Sequence, residues 1–279
     1  MTARLVDPHG RHIHKLRLSL LDACNFRCVY CMPHNPKFLP PEQLLSRKDI
    51  KKISGILVNL GIDEIRLTGG EPTMRADFLD IANDLSDLKL RKLAVTSNGF
   101  FLKKNLLQLS KTNCRHINLS MDGLTKKTFL KMTGSNEFAK VLDSLFRAKD
   151  LGFKVKINSV LMKGINDHEI EKFVEFSGKY KIEVRFLELM KIGPARKKFK
   201  THFMSASETI NCLRRISPLI PIKLPIDSTS FNFKLENGAN IGLIASESRP
   251  FCTGCSRLRL TAQGEIRPCL MMDRGMSLV

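Results

Sequence analysis

The sequence predicts an α/β protein, an incomplete (βα)6 TIM-like barrel carrying a smaller C-terminal region. Three observations predict it. Short β-rich runs alternate six times with helical apolar stripes, at a spacing of roughly thirty residues, as the βαβ unit requires. Right-handed crossovers then build one parallel sheet. After residue 190 the alternation stops. Eight modules close a full barrel, so six leave it incomplete. A doubly wound sheet is the alternative.

The modules follow in order. KLRLSL (15–20) is the first strand. A helix over 46–60 comes next: Ser46 caps it, Asp49 sits three residues on, Ile50, Ile53, Leu57 and Leu60 form one stripe, and Gly61 ends it. Strand EIRLT (64–68), a helix over 77–88, strand KLAVTS (92–97) and helical LKKNLLQLS follow. HINLSMD (116–122) is the fourth strand. A helix over 137–151 carries Phe138, Val141, Leu142 and Leu145 and stops at Gly152. FKVKINSV (153–160) is the fifth strand. Asp167 is expected to cap a helix bearing Ile170, Phe173 and Val174, and IEVRFLELM (182–190) is the sixth strand. Beyond it lie ARKKFKTHF (195–203), expected to be a mobile basic loop, and a short helix, SASETINCLRRI. The β-like runs PIKLPI, STSFNFKLE, NIGLIA, RLRLTA and EIRPCL then form the C-terminal region, with an Asn-Gly turn in LENGAN.

Composition narrows the function classes. Of 279 residues 43% are hydrophobic, enough for a large core. No apolar run is long enough to span a bilayer, and the first twenty residues lack a secretory pattern. The expectation is a soluble, cytoplasmic protein with no membrane partner. Forty-six basic against 27 acidic residues leave a charge of +19, which favours an anionic partner such as a nucleotide, a nucleic acid or an acidic protein. Eight cysteines in a reducing compartment read as ligands rather than disulfides. Cys114 and Cys212 stand alone and read as small buried hydrophobes.

The chemistry sits after the strands. In a parallel barrel the loops at the strands' C-terminal ends build the site. Strand one runs into CNFRCVYC (Cys24, Cys28, Cys31), strand two into TGGEP (68–72), strand three into TSNG (96–99), strand four into Ser120, Met121 and Asp122, and strand six ends at Met190. Each turn alone is ordinary loop chemistry. Together on one rim, beside three cysteines, they make a site. Three thiols leave a metal site one ligand short. The group is either half a zinc site or a four-iron cluster with one iron open to a further ligand. FCTGCSRLRLTAQGEIRPC repeats the theme: Cys252, Cys255 and Cys269, again three, with no histidine beyond Cys252.

The CxxxCxxC triplet resembles the radical S-adenosylmethionine (SAM) superfamily, in which the open iron is chelated by SAM. TGGEP resembles that superfamily's element for the methionyl amino group. With the second triplet and Arg257-Leu258-Arg259, the chain is similar from about residue 4 to Cys269 to the MoaA-type GTP 3′,8-cyclases, which open molybdenum cofactor biosynthesis. GRHIHKLRLSLLDACNFRCVYCMP, IDEIRLTGGEPTMR, INLSMDGL, VKINSVLMKGIND and EVRFLELM carry the likeness further.

The resemblance implies roles for named residues. Cys24, Cys28 and Cys31 hold a [4Fe-4S] cluster that binds SAM. Tyr30, Gly69, Gly70, Glu71, Ser120 and Met190 form the SAM pocket. Cys252, Cys255 and Cys269 hold a second [4Fe-4S] cluster whose free iron meets guanine. Arg17, Arg66, Thr96, Lys156, Arg257, Leu258 and Arg259 hold GTP, with Arg17, Arg257 and Arg259 essential to catalysis. The implied reaction abstracts hydrogen from the ribose C3′ of GTP and joins that carbon to C8 of guanine, giving (8S)-3′,8-cyclo-7,8-dihydroguanosine 5′-triphosphate.

Residues 1–190 form the barrel with the first cluster in this reading. Residues 191–279 form a C-terminal region over its mouth, with the second cluster and GTP contacts. A flavodoxin- or ferredoxin-type reductant is the implied protein partner; nucleic acid is not expected, and the resemblance leaves room for a homodimer. The sequence departs from the family twice: it has no tryptophan after Met190, and it lacks the helical segment and diglycine tail that follow Cys269 there. The expectation is therefore binding of GTP and SAM with weak cyclisation by these 279 residues. Two other readings stay open: a radical SAM enzyme with an auxiliary cluster acting on RNA or peptide, and a zinc-stabilised basic nucleic-acid-binding protein.

Overall fold

The computed structural model of the chain describes residues 4–33, 35–272 and 274–278. Six strands alternate with helices as the periodicity predicts. They are β1 (Lys15–Ser19), β2 (Glu64–Thr68), β3 (Lys92–Ser97), β4 (Cys114–Ser120), β5 (Lys154–Leu161) and β6 (Glu183–Glu188). Between them run α1 (Arg47–Asn59), α2 (Phe78–Ser86), α3 (Leu102–Leu109), α4 (Lys126–Thr133), α5 (Phe138–Asp150) and α6 (Ile170–Tyr180). The remainder supplies α7 (Ala195–His202), α8 (Ala206–Ile216), β7 (Ile220–Ile222), β8 (Phe231–Lys234), β9 (Asn240–Ile244), β10 (Arg257–Leu260), β11 (Glu265–Arg267) and β12 (Met276–Ser277).

All twelve strands share one sheet, in the order β12-β11-β10-β1-β2-β3-β4-β5-β6-β9-β8-β7. The C-terminal region thus extends both edges of the barrel sheet. β10 lies parallel to β1, with Arg257 opposite Lys15 and Arg259 opposite Arg17. β9 lies parallel to β6, and β7–β8–β9 form an antiparallel ribbon. Residues of β1, β2, β3, β4, β5, β6 and β10 line one common cavity, so the sheet curls around a lumen as an incomplete barrel.

The alternation of strand side chains sorts the two faces. Leu16, Leu18, Ile65, Leu67, Ile117, Ile157, Val184 and Phe186 are buried under the helices. Each such side chain contributes about 1.5–3 kcal/mol by leaving water. The helices answer with stripes such as Ile50, Ile53 and Leu57 of α1, and Val141 and Leu145 of α5. Ser46 caps α1 by accepting the Asp49 N–H at 3.1 Å. Asp167 does not cap α6; its Oδ1 accepts the Gly164 N–H at 2.8 Å, and a 3-10 turn at Asp167–Glu169 leads into the helix. α4 was not anticipated, although Thr125 caps it and Gly134, at φ 68°, ends it in the left-handed region.

The basic segment is also different from expectation. ARKKFKTH is helical as α7, not a mobile loop. Buried Ala195 anchors its first turn, Phe199 stacks on Phe203 at 4.5 Å, and His202 exchanges hydrogen bonds with Lys163. Four basic side chains hid these contacts in a pattern read by charge.

Candidate active site

The first cysteine loop leaves β1 and is pinned on two sides. The Arg27 and Val29 N–H groups donate to the Thr133 and Met132 carbonyls at the end of α4. On the other side Gly70 N–H donates to Leu21 O at 2.8 Å and Glu71 N–H to Ala23 O at 2.9 Å. That approach needs glycine. A Cβ at Gly69 or Gly70 would overlap the carbonyl oxygens of Leu21 or Ala23, and Gly69 has φ 137°. The TGGEP turn is thereby laid directly along the cysteine loop.

Glu71 braces this rim. Its buried carboxylate accepts from Asn98 N at 2.6 Å, Ser97 Oγ at 2.8 Å and Thr73 N at 3.1 Å, locking TGGEP to TSNG. Burial raises its pKa. The side chain is consumed in holding the turn, so only its backbone faces the loop. Asn98 in turn reaches Asn25 at 2.9 Å and the Cys24 sulfur at 3.7 Å.

Burial raises all three thiols of this loop; Cys28 and Cys31 also feel the charge of neighbouring thiols, and Cys24 that of Glu71. Tyr30, between them in sequence, donates to Asp122 Oδ2 at 2.9 Å. Asp122 also accepts from Val160 N at 2.8 Å, and burial pushes its pKa up to about 6. Among the described residues no three cysteine, histidine or acidic side chains converge as one metal ion demands. A four-iron cluster holds its thiolates farther apart, and these three thiols with an open fourth place fit that donor set. Ser120 ends β4 and Met190 follows β6, both half-buried on the same rim.

Below the rim the lumen is cationic. Its cavity holds about 300 Å³ and is lined by Lys15, Arg17, Arg66, Lys92, Lys156, Arg185 and Arg257. Acids meet only part of this charge. Glu183 pairs Lys156 at 2.6 Å and Arg185 at 2.5 Å, and Asp227 pairs Lys15 at 2.5 Å. Among the described residues Arg17, Arg66, Lys92 and Arg259 have no acidic partner within ion-pair distance.

The strain shows in the pKa values. Burial first, then the charges of Arg66, Arg259, Arg257 and Arg185, hold Arg17 far below its ordinary value. Burial and Arg185 lower Arg66 to about 10. Burial lowers Lys92 to about 8, and burial with neighbouring lysines lowers His116 to about 4. Thr96 Oγ1, His116 Nδ1 and Asn158 Oδ1 are buried without partners. Half-buried cations without counter-charge are held at a cost, and a polyanion in the lumen relieves it. Arginine forks suit phosphate oxygens.

The second cysteine set opens beside β10. Cys252 and Cys269 are exposed and Cys255 half-buried. Arg257 Nη2 lies 3.1 Å from the Cys255 sulfur, and Arg259 is within electrostatic reach of Cys255 and Cys269. Arg11 donates to the Cys252 carbonyl at 2.5 Å. Asp227 accepts from Ser256 at 3.1 Å and from His14 at 2.9 Å, tying the 223–230 loop to the base of β10. The arginine pair therefore bridges the lumen and the second thiol set.

The fold brings most of the anticipated residues together. Leu258 pairs with Leu16 in register and its side chain packs on the outer core, because neighbouring strand residues face opposite sides. Sequence reasoning missed Lys15, Lys92, Asn118 and Arg185 in the lumen; it placed Asn98 and Asp122 on the rim without giving them a role. Strand alternation was the available signal: Arg185 shares its face with Glu183 as Arg17 shares its own with Lys15. Cys114 is fully buried, and all eight cysteines are unpaired.

This fold and site define a radical SAM protein: residues 18–177 match the Radical SAM superfamily, and residues 182–279 match Molybdenum Cofactor Synthesis C. The chain is 42% identical over 278 residues to a GTP 3′,8-cyclase of Synechocystis, covering 100% of this chain and 85% of that protein. It is 37% identical to that of Aquifex aeolicus, covering 98% and 87%. The chain belongs to the GTP 3′,8-cyclase family. Among solved structures, Streptococcus suis SuiB bound to S-adenosylmethionine shares the fold, with TM-score 0.71 and 17% identity over 95% of this chain and 63% of that one. Native anSMEcpe with bound AdoMet follows at TM-score 0.61 and 15% identity, over 94% and 76%. No helix among the described residues is long and apolar enough to cross a membrane.

Proposed function

We propose that the chain is a GTP 3′,8-cyclase acting with SAM and two [4Fe-4S] clusters in the first step of molybdenum cofactor biosynthesis. One observation carries the reading: a cationic lumen, in which Arg17 and Arg66 have no counter-charge, shares one sheet with two three-thiol sites. Cys24, Cys28 and Cys31 hold the cluster that meets SAM. Gly69 and Gly70 give the backbone room for the methionyl end beside it, with Tyr30, Ser120 and Met190 around the same pocket. Bound there, the cluster and SAM would supply one-electron radical chemistry.

The chain's own residues then bind and orient. Arg17, Arg66, Lys156, Arg185 and Arg259 hold the triphosphate, and Thr96, with its unpartnered hydroxyl, offers a further contact. Arg257 and Arg259 link the phosphates to Cys252, Cys255 and Cys269, which hold the cluster facing guanine. Such positioning is worth orders of magnitude in rate. The rim of Glu71, Ser97 and Asn98 keeps the radical's place rigid.

The test is anaerobic reconstitution with iron and sulfide, followed by incubation with GTP, SAM and dithionite. Deoxyadenosine and a cyclised guanosine triphosphate are expected together. SAM cleavage whose yield ignores GTP, with no guanosine product, would overturn the reading. A reductant protein completes the cycle in the cell.

A further inference from the structure

We propose that α7, together with the outer side of the first cysteine loop, is the docking surface for an acidic one-electron carrier protein. The proposal rests on the reading that Cys24, Cys28 and Cys31 hold a redox cluster.

Four observations carry it. The helix presents Arg196, Lys197 and Lys200 to solvent, and half-buried Lys198 adds a fourth cation. Among the described residues none of these four has an acidic partner within ion-pair distance, whereas Lys163 nearby is paired with Glu208 at 3.0 Å. The helix is rigidly set, not a solvated tail: Phe199 stacks on Phe203, and the chain is tied at Lys163.

Its place is the fourth observation. Ala195, Phe199 and Phe203 pack with Val29 and Tyr30, the residues between Cys28 and Cys31. A Cβ at Gly193 would sit 3.9 Å from the Cys31 carbonyl oxygen. Cys31 itself borders solvent, and Arg27 and Lys37 are exposed around the same loop. This cluster of unpaired positive charge thus lies beside the loop that carries the first thiol set.

Charge of that density attracts anionic surfaces and accelerates encounter. A nucleic acid would satisfy the charge, but it would gain nothing from contact with a redox loop. A reduced carrier gains a short path: one electron leaves it and enters the cluster, the carrier is oxidised by one electron, the cluster is reduced by one, and no bond is made or broken. Electron-transfer encounters are small and weak, which suits a patch of one short helix and one loop.

The experiment compares the reconstituted protein with two variants, R196E/K197E/K200E on α7 and K172E/K179E on α6. Binding of a purified acidic flavodoxin and of a plant-type ferredoxin is titrated from roughly 50 to 300 mM salt. For at least one carrier the wild type should bind, with affinity falling steeply with salt. The α7 variant should bind about tenfold more weakly or worse, and the α6 variant within about twofold of wild type. SAM cleavage driven by the reduced carrier should fall in parallel, while cleavage driven by dithionite stays unchanged. No binding of either carrier, equal binding by the α7 variant, or tighter patch-dependent binding of a single-stranded oligonucleotide would each overturn the proposal. Absence of dithionite-driven cleavage in the wild type would instead count against the radical SAM reading, and the binding titration would still decide this surface.

Discussion

The two cysteine triplets share a donor set and differ in how the fold holds them. The first is the more embedded, with Cys24 and Cys28 half-buried and Cys31 at the solvent edge. Its loop accepts backbone hydrogen bonds from TGGEP on one side and donates them to the end of α4 on the other, and burial raises every thiol. The second lies open, with Cys252 and Cys269 exposed and cationic side chains for neighbours. The contrast fits two tasks. A rigid pocket, largely shielded from water, suits radical chemistry. An open site joined to an arginine pair suits the capture of a large anionic substrate.

The sharpest way to break the contrast is to delete each triplet. Replacing Cys24, Cys28 and Cys31 by Ala should abolish deoxyadenosine formation altogether. Replacing Cys252, Cys255 and Cys269 should halve the bound iron, keep some SAM cleavage under a strong reductant and stop cyclisation. Equal loss of cleavage in both would erase the distinction.

Gly70→Ala probes how tightly the first loop is packed. Backbone has nowhere to move from the added Cβ, so a loss of about 1–3 kcal/mol in thermal or chemical unfolding is expected, with reduced iron uptake at the first triplet only. An unaltered protein would mean that TGGEP and the cysteine loop can separate at no cost.

Arg17→Ala separates binding from stability. Triphosphate affinity should weaken by about 1.5–3 kcal/mol, the range for a hydrogen bond to a charged group. The ligand-free protein should be no less stable, because a buried repulsion with Arg66 and Arg259 is removed. Calorimetry and thermal unfolding read the two halves separately.

Lys92 gives a smaller, pH-dependent effect. Burial lowers its folded pKa to about 8 from the ordinary 10.5. Between those values the unfolded chain binds more protons, so this group makes stability rise with pH from 8 to 10.5. A bound triphosphate restores the charge on Lys92, so binding near pH 9 should take up a proton, by a fraction that Lys92→Met abolishes. Titrations in buffers of different ionisation heat measure it.

Much of this was legible before the fold was known. The six modules, both thiol sets, and Arg17, Arg66, Lys156, Arg257 and Arg259 stand in recognisable runs. Arg185 and Lys92 did not, because a lone cation in a strand reads as a solvated face until the curl of the sheet closes around it. The helicity of α7 was hidden for a related reason: its anchors, Ala195, Phe199 and Phe203, pack against the distant residues Val29 and Tyr30. Glu71 sat in a recognised motif, yet only the structure reveals that TSNG consumes its carboxylate.

The central claim is that the cationic lumen is a triphosphate cradle. Calorimetric titration of guanosine, GTP and inorganic triphosphate into the protein, before any cluster is reconstituted, tests it most directly. The expected result is clear binding of GTP and of triphosphate, lost together in the Arg17→Ala/Arg259→Ala double variant, and no detectable binding of guanosine. Guanosine binding as tightly as GTP, or GTP binding untouched by the double variant, would contradict the claim.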